Sequence, residues 1–107
     1  MAILKKVRDY QEHLLEQLQN PEEAAAYLNA ALHDDDPHVF LLALRDITDA
    51  QGGMSWLADV ADLNRESLYR TLSLRGNPRF FSLLAVLDAV GLELSIHPRE
   101  KRKQKRA

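Results

Sequence analysis

The sequence predicts an all-α domain of five to six helices, followed by one C-terminal β-strand. Apolar residues recur at intervals of three and four from Leu4 to Leu87, which is the spacing of one helix face. Four turn signals, Asn-Pro, Asp-Pro, Gly-Gly and Gly-Asn-Pro, divide this region into segments of helix length. Strict alternation of apolar and polar residues, which is typical of a strand, follows Gly91. With 107 residues, the chain is predicted to form one small domain.

The first three helices begin or end at recognisable signals. The first is predicted over residues 4–19, and Asn20 with Pro21 then supplies the N-cap and first residue of the second. An Asp-Pro pair repeats this arrangement for a third helix over residues 37–50, which Gly-Gly ends. The residues predicted to face inward are Leu4, Val7, Leu14, Leu15 and Leu18 in the first helix, and Phe40, Ala43, Leu44 and Ile47 in the third.

Two short amphipathic helices are predicted next, over residues 54–60 and 65–73, with a tight turn between them. Ala58 is small where two such helices would cross closely. Asp62 occupies a turn position that favours a left-handed backbone, which Asp tolerates better than most residues. Asn64 is placed as the N-cap of the second helix. This pattern is typical of a helix-turn-helix motif that binds DNA, and the alternative is an ordinary helical hairpin with a polar outer face.

The second helix of this pair is predicted to be the DNA-reading helix, because its outward side chains can reach bases and phosphates. Trp56, in the first helix of the pair, is expected to wedge against the third helix of the domain rather than stack on a base. The candidate DNA-binding residues are Asn64, Arg65, Glu66, Ser67, Tyr69, Arg70, Ser73 and Arg75.

Charge is distributed unevenly along the chain. Residues 1–63 contain twelve acidic and four basic side chains, a balance of −8, whereas residues 64–107 contain four acidic and ten basic ones, a balance of +6, so the total is −2. The positive part begins at the predicted reading helix, as expected for a surface that faces phosphate. Residues 1–35 are predicted to face a basic partner protein.

The C-terminal part is predicted to hold a sixth helix with Phe81, Leu84, Val86 and Leu87 inward, and then a strand in which Leu92, Leu94 and Ile96 alternate with polar residues. A lone strand needs a partner, so we expect pairing with the same strand of a second copy or with another protein. The alternative is that these three residues pack as an extended tail on their own domain. Residues 98–107 are predicted to be a disordered basic tail that lies along a DNA backbone. The predicted organisation is therefore an N-terminal helix (1–20), a helix-turn-helix domain with its strand (21–97) and the tail (98–107).

Several classes of function are not expected. The chain has no cysteine, and its four histidines are scattered, so neither a disulfide framework nor a metal site nor any cofactor is predicted. No base is expected within reach of Ser67, so catalysis is not predicted. The N-terminal 17 residues carry too much charge for a signal peptide, and no apolar run reaches the length of a membrane span. These features predict a cytoplasmic protein that is not an enzyme.

A family resemblance rests on NRESLYRTL, GNP and LLAVLDAVGLEL, which are specific when they occur together. Over about residues 21–97 the chain resembles the addiction-module antidote proteins, the small antitoxins of HigA type within the Xre/Cro repressor group. The resemblance implies a lambda-repressor-like domain that represses its own operon and neutralises a small RelE/ParE-like toxin. It also implies DNA contact by Arg65, Glu66, Tyr69 and Arg70. The run Arg-Phe-Phe after GNP, the N-terminal helix and the basic tail depart from the family pattern.

Two other classes of function stay open. The chain can be a stand-alone Xre-type repressor without a toxin, or a protein-interaction module whose acidic half binds a partner. Binding of RNA or single-stranded DNA is disfavoured, because the reading helix lacks a platform of several aromatic residues.

Overall fold

The computed structural model describes residues 2–100, and within them the regular secondary structure is entirely helical. The predicted all-α class is confirmed, and each predicted helix is found with its ends shifted by no more than a few residues. The six helices are α1 (Ala2–Gln17), α2 (Pro21–Leu32), α3 (His38–Gln51), α4 (Met54–Ala61), α5 (Arg65–Thr71) and α6 (Phe80–Ala89). None of the helices in this part of the chain combines the length and the apolar character needed to cross a membrane.

Helix α3 is the centre of the domain, because α1, α2 and α4 all pack against it, and α4 in turn contacts α5 and α6. The four residues of α3 that were predicted to face inward are buried, with Leu44 and Ile47 completely so, and Leu41 and Ala50 are buried beside them. Thr48 is also fully buried, and its hydroxyl donates a hydrogen bond to the carbonyl oxygen of Leu44 at 2.9 Å. The buried polar group is thus satisfied inside the helix.

The predicted helix-start signals form the expected hydrogen bonds. The Asn20 carboxamide oxygen accepts from the backbone N–H groups of Glu22 and Glu23 at 2.8 and 3.3 Å. The Asp36 carboxylate accepts from the backbone N–H of His38, the first residue of α3, at 2.9 Å. These bonds satisfy N–H groups that have no partner within their own helix, which defines where α2 and α3 begin.

The predicted C-terminal strand over residues 92–96 is not present, since residues 92–100 have no regular secondary structure. A strand forms only when a second strand pairs with its backbone, and the rest of the described chain offers helices and loops instead. Leu92 is half-buried and packs on the core, whereas Leu94 and Ile96 are 42% and 91% exposed. Leu92 thus packs on the core, and residues 92–97 line a groove together with α2 without forming a strand. Most of the predicted basic tail lies outside the described residues.

Three residues that were predicted to face inward are exposed instead. Leu4 and Val7 in α1 are 67% and 60% exposed, because the domain lies beneath only the second half of this helix. Phe81, in the first turn of α6, is 81% exposed, and the half-buried Leu83 packs on the core in its place. Helical spacing correctly grouped the residues of each face, but one end of each face extends past the core.

Candidate nucleic-acid interface

The turn between α4 and α5 is built around Asp62. This residue has φ 56° and ψ 48°, the left-handed conformation predicted for it, and no other residue except glycine has a positive φ in the described part of the chain. The backbone N–H of Leu63 reaches back to the carbonyl oxygen of Ala58 at 3.0 Å. Ala58 itself is 8% exposed, as expected for a small residue where two helices approach closely. Three residues thus suffice to turn the chain from α4 into α5.

Helix α5 is held by its cap and its inner face. The Asn64 carboxamide oxygen accepts a hydrogen bond from the backbone N–H of Ser67 at 2.9 Å, which confirms the predicted N-cap. Leu68 and Leu72 are buried to 3% and 1% exposure and attach the helix to the core. Because these two residues fix the rotation of α5 about its axis, the opposite side of the helix is turned to solvent.

The outward side of α5 carries the residues that the sequence singled out. Arg65, Glu66, Tyr69 and Arg70 are exposed and lie at spacings that place them on one face. Three other candidates make local hydrogen bonds: Asn64 caps the helix, Ser67 accepts from Arg70 Nη2 at 3.4 Å, and Ser73 donates to the Arg70 carbonyl oxygen at 2.7 Å. Arg75 is exposed in the loop after α5.

Arg45 of α3 also lies beside this surface, although its position in the sequence did not indicate this. Its guanidinium carbon lies 5.2 Å from the centre of the Tyr69 ring, which is within the range of a cation–π contact. The same guanidinium stabilises the charged form of Asp49, whose pKa is nevertheless raised, chiefly because neighbouring atoms displace water from the carboxylate. In the sequence Arg45 is one of three charged residues of α3, with Asp46 and Asp49, and only the fold brings it to Tyr69.

The loop after α5 lies close against the end of that helix. A side chain at Gly76 would overlap the carbonyl oxygen of Thr71, so only glycine fits without movement of the backbone. Pro78 and Ser82 line a cavity of about 60 Å³ together with α5 residues, so the start of α6 lies beside α5. The rings of Phe80 and Phe81, whose centres are 5.9 Å apart, are exposed at the start of α6.

Positive charge dominates this region. Residues 64–79 contain four arginines and one acidic residue, Glu66. Within residues 2–100 the single contact between a basic and an acidic side chain at salt-bridge distance is that of His38 with Asp36, so none of these arginines is neutralised by a described carboxylate. The surface therefore presents unpaired cationic side chains, which is the charge expected of a surface that contacts phosphate.

The histidines and aspartates between α2 and α3 are engaged in local structure. Hydrogen bonds from the backbone N–H and the ring of His38 lower the pKa of the Asp36 carboxyl. His33 Nδ1 lies 2.8 Å from the Asn29 carbonyl oxygen. No group of three or more potential ligands that could hold a metal ion occurs in the part of the chain that the structure describes.

Residues 9–98 of the chain match the model of a family described as a probable addiction module antidote protein. The chain belongs to this antidote family. Membership indicates an antitoxin role with a toxin as partner, which is a regulatory function. An uncharacterized protein of Haemophilus influenzae is 40% identical over 81 residues, which cover 76% of this chain and 82% of the relative. No solved structure matches the chain. The family match spans α2 to α6 but begins only in the middle of α1.

Proposed function

We propose that this antidote-family protein binds operator DNA through α4 and α5, represses its own operon and neutralises a small RelE/ParE-like toxin. The observation that carries the DNA-binding part is the geometry of the two helices. Asp62 turns the chain within three residues, Leu68 and Leu72 hold α5 on the core, and the unpaired arginines face solvent. These features support a helix-turn-helix motif, which we propose to be of the HigA and Xre type.

In this proposal α5 lies in the major groove with its N-terminal end toward the bases. Arg65 donates paired hydrogen bonds to a guanine, and Glu66 accepts from a cytosine amino group. Tyr69 and Arg70 reach the next base edge or the flanking phosphate. The remaining candidates fix the orientation of α5 through contacts with the DNA backbone, which carry no sequence information themselves; they are Asn64, Ser67, Ser73 and Arg75.

The operator-binding form is proposed to be a dimer in which residues 92–96 of two copies pair as strands. Leu92 anchors the segment on the core, while Leu94 and Ile96 stay available for a partner. Pairing would supply the hydrogen-bond partner that a single chain lacks. A two-fold dimer would also match an operator with two half-sites about one helical turn or more apart.

The toxin is proposed to bind the acidic half of the chain. Glu22 and Glu23 at the start of α2, and Asp34 and Asp35 after its end, are all exposed. None of these four carboxylates takes part in an ion pair within residues 2–100. Their charge complements a small basic protein, and the antidote family supplies the expectation that such a partner exists.

Binding to duplex DNA from upstream of the gene, compared with a scrambled duplex, tests the DNA-binding part. We expect the protein to prefer the upstream duplex. We also expect the logarithm of its affinity to fall linearly with the logarithm of the salt concentration. Equal, weak binding to both duplexes would favour the protein-interaction module. The neighbouring reading frame tests the toxin: a small basic protein of about a hundred residues, small enough to form one domain, is expected there. Its absence would favour a stand-alone Xre-type repressor.

A further inference from the structure

Residues 92–97 and α2 line an open groove on the surface of the domain. The groove has a volume of about 740 Å³. Three exposed apolar residues line it, Leu32, Leu94 and Ile96, which are 55%, 42% and 91% exposed. Phe40 of the core lines it as well. Exposed apolar residues that cluster in one groove mark an interaction surface more often than isolated ones do.

The backbone along one side of this groove has no partner in the described part of the chain. The N–H of Leu92 donates a hydrogen bond to the carbonyl oxygen of Leu87 at 2.9 Å. Beyond it, no backbone group of residues 93–97 forms a hydrogen bond with another residue between 2 and 100, and all five residues are exposed. An exposed stretch of unpaired backbone is the template to which a second strand is added.

The position of Leu92 favours an antiparallel strand if the partner is a second copy. Leu92 packs on the core two residues after α6, so the domain lies at this end of the segment. A parallel copy in register would place two such ends about 5 Å apart. Two packed helices already need about 8–10 Å between their axes. Antiparallel pairing avoids this conflict, because it places the two domains at opposite ends of the strand pair.

The side chains of the segment are complementary to themselves in one antiparallel register. In that register Leu94 lies opposite Leu94 of the second copy, and Leu92 lies opposite Ile96. Each of the three apolar residues then faces another of the three, on the same side of the strand pair. On the other side Glu93 lies opposite Ser95, so no two like charges are directly opposed.

A shift of this register in either direction loses the complementarity. Pairing centred on Glu93 would set the two Glu93 carboxylates opposite each other, which is destabilising. Pairing centred on Ser95 would set Leu92 opposite Pro98, which has no N–H for a strand ladder. The sequence of the segment therefore matches a second copy in the register centred on Leu94.

We propose that the groove of each copy holds residues 92–97 of a second copy as an antiparallel strand centred on Leu94. This inference rests on the dimer proposed above, and it adds the orientation, the register and the surface that the strand covers. Ile96 is the most exposed large apolar residue between residues 2 and 100. In the pair it lies beside Leu92 of the second copy, which packs on the core of that copy. Each copy thus completes the groove of the other.

Single cysteine variants test the register, because the chain has no cysteine of its own. Opposite residues of an antiparallel pair have Cα atoms about 4.5–5.5 Å apart, within reach of a disulfide, whereas a displacement by two residues takes them beyond about 7 Å. Leu94→Cys is expected to form a covalent dimer under mild oxidation with diamide. Glu93→Cys and Ser95→Cys should each stay uncross-linked alone, and should cross-link with each other in an equimolar mixture.

The pattern of cross-links separates this inference from the dimer on which it rests. Ser55→Cys, at an exposed position of α4, is the control for random collision. If Glu93→Cys or Ser95→Cys cross-links with itself as well as Leu94→Cys does, the register is wrong, while the proposed dimer stands. If Leu94→Cys does not exceed the control although sedimentation velocity finds a dimer, the inference is wrong. If sedimentation finds only monomers at the highest concentration, both the inference and the proposed dimer are wrong.

Leu32→Glu tests whether the added strand lies against α2. The charge would meet the apolar side chains of the second copy, so we expect the dimer to dissociate at least ten-fold more readily in sedimentation velocity, with the thermal midpoint of the parent. Val60→Glu is the matched control, because Val60 is 54% exposed in α4, outside the groove. Association of Leu32→Glu equal to that of the parent would overturn the proposal. Loss of toxin binding without a change of association would overturn it in favour of the toxin as the occupant of the groove.

Discussion

The guanidinium carbon of Arg45 lies 5.2 Å from the centre of the Tyr69 ring. This contact joins the central helix α3 to the outward side of α5, so the ring that is proposed to meet DNA is oriented by a residue of another helix. Tyr69 is 39% exposed, and the Arg45 guanidinium lies over one face of its ring. The position of the ring therefore depends on the packing of the core as well as on α5.

Removal of either partner of this contact is expected to weaken operator binding. Tyr69→Ala and Arg45→Ala should each lower affinity several-fold, and the double variant should lose less than the sum of the two effects, since the contact is shared. The coupling should be about 0.5–1 kcal/mol, the range of an exposed cation–π contact. Tyr69→Phe, which keeps the ring, serves as the control for the hydroxyl. Strict additivity in binding titrations of the four proteins would show that the contact does not position the ring.

The turn before α5 makes a prediction about stability. Asn64→Ala should lower the free energy of unfolding by about 1 kcal/mol, because the N–H of Ser67 loses its acceptor, whereas Asn64→Asp keeps an acceptor and should stay near the parent. Thermal denaturation measures both. A midpoint for Asn64→Ala equal to that of Asn64→Asp would contradict the proposed role of this cap.

Asp62 gives a separate test of the same turn. Asp62→Val should lower the free energy of unfolding by about 1–2 kcal/mol, because a β-branched residue is strained in the left-handed conformation. Asp62→Gly should be tolerated, since glycine adopts this conformation without strain. If chemical denaturation finds the two variants equally stable, the left-handed turn is not maintained in solution.

The hydroxyl of Tyr27 donates a 2.7 Å hydrogen bond to the Asp46 carboxylate, and burial together with this bond raises the pKa of the tyrosine. The neutral Tyr27 hydroxyl therefore contributes its full share to the free energy of unfolding below the ordinary tyrosine pKa near 10. This contribution is lost as the pH rises above that value. Tyr27→Phe should lower the free energy of unfolding by about 1 kcal/mol at neutral pH. Between neutral pH and pH 11, the free energy of unfolding of Tyr27→Phe should also fall less than that of the parent. Tyr10→Phe, at an exposed position, is the control, and parallel pH profiles for parent and Tyr27→Phe would contradict this account.

The proposed pairing of residues 92–96 can be tested with Leu94→Pro. Proline removes a backbone N–H that a strand ladder would use, while Leu94 is exposed enough that the fold of the single chain should not depend on it. We expect the variant to lose most of the preference of the parent for two half-sites over one. Leu94→Ala keeps the N–H and should retain that preference. If Leu94→Pro binds both DNAs as the parent does, pairing through this segment is wrong.

The sequence predicted the structure best where the contacts that determine it join residues close together in the chain. The caps at Asn20 and Asn64 and the left-handed turn at Asp62 depend on contacts between near neighbours, and all three were predicted. Periodicity also identified the inner face of α3. It could not show that the domain does not extend beneath Val7 in the first half of α1, or that Phe81 lies outside the core. Spacing groups residues on one face of a helix but does not show what lies opposite that face.

Two further features depend on partners that spacing does not specify. The alternation of residues 92–96 describes side-chain directions, whereas a strand also needs a second backbone beside it. The contact of Arg45 with Tyr69 depends on how the fold brings together two helices that are separated along the chain. The surface of α5 was therefore predictable, while its support by α3 was not.

Competition binding by the Arg65→Ala variant, on the operator and on a scrambled duplex at two salt concentrations, tests the central claim that α5 reads DNA sequence. Loss of paired hydrogen bonds to a guanine should cost about 1–3 kcal/mol on the operator and leave the affinity for the scrambled duplex within a few fold. Removal of residues 101–106 is the control, since charge that contacts only phosphate should weaken both duplexes alike and reduce the salt dependence. If Arg65→Ala weakens both duplexes equally, α5 makes only an electrostatic contact, and the claim that it reads sequence is wrong.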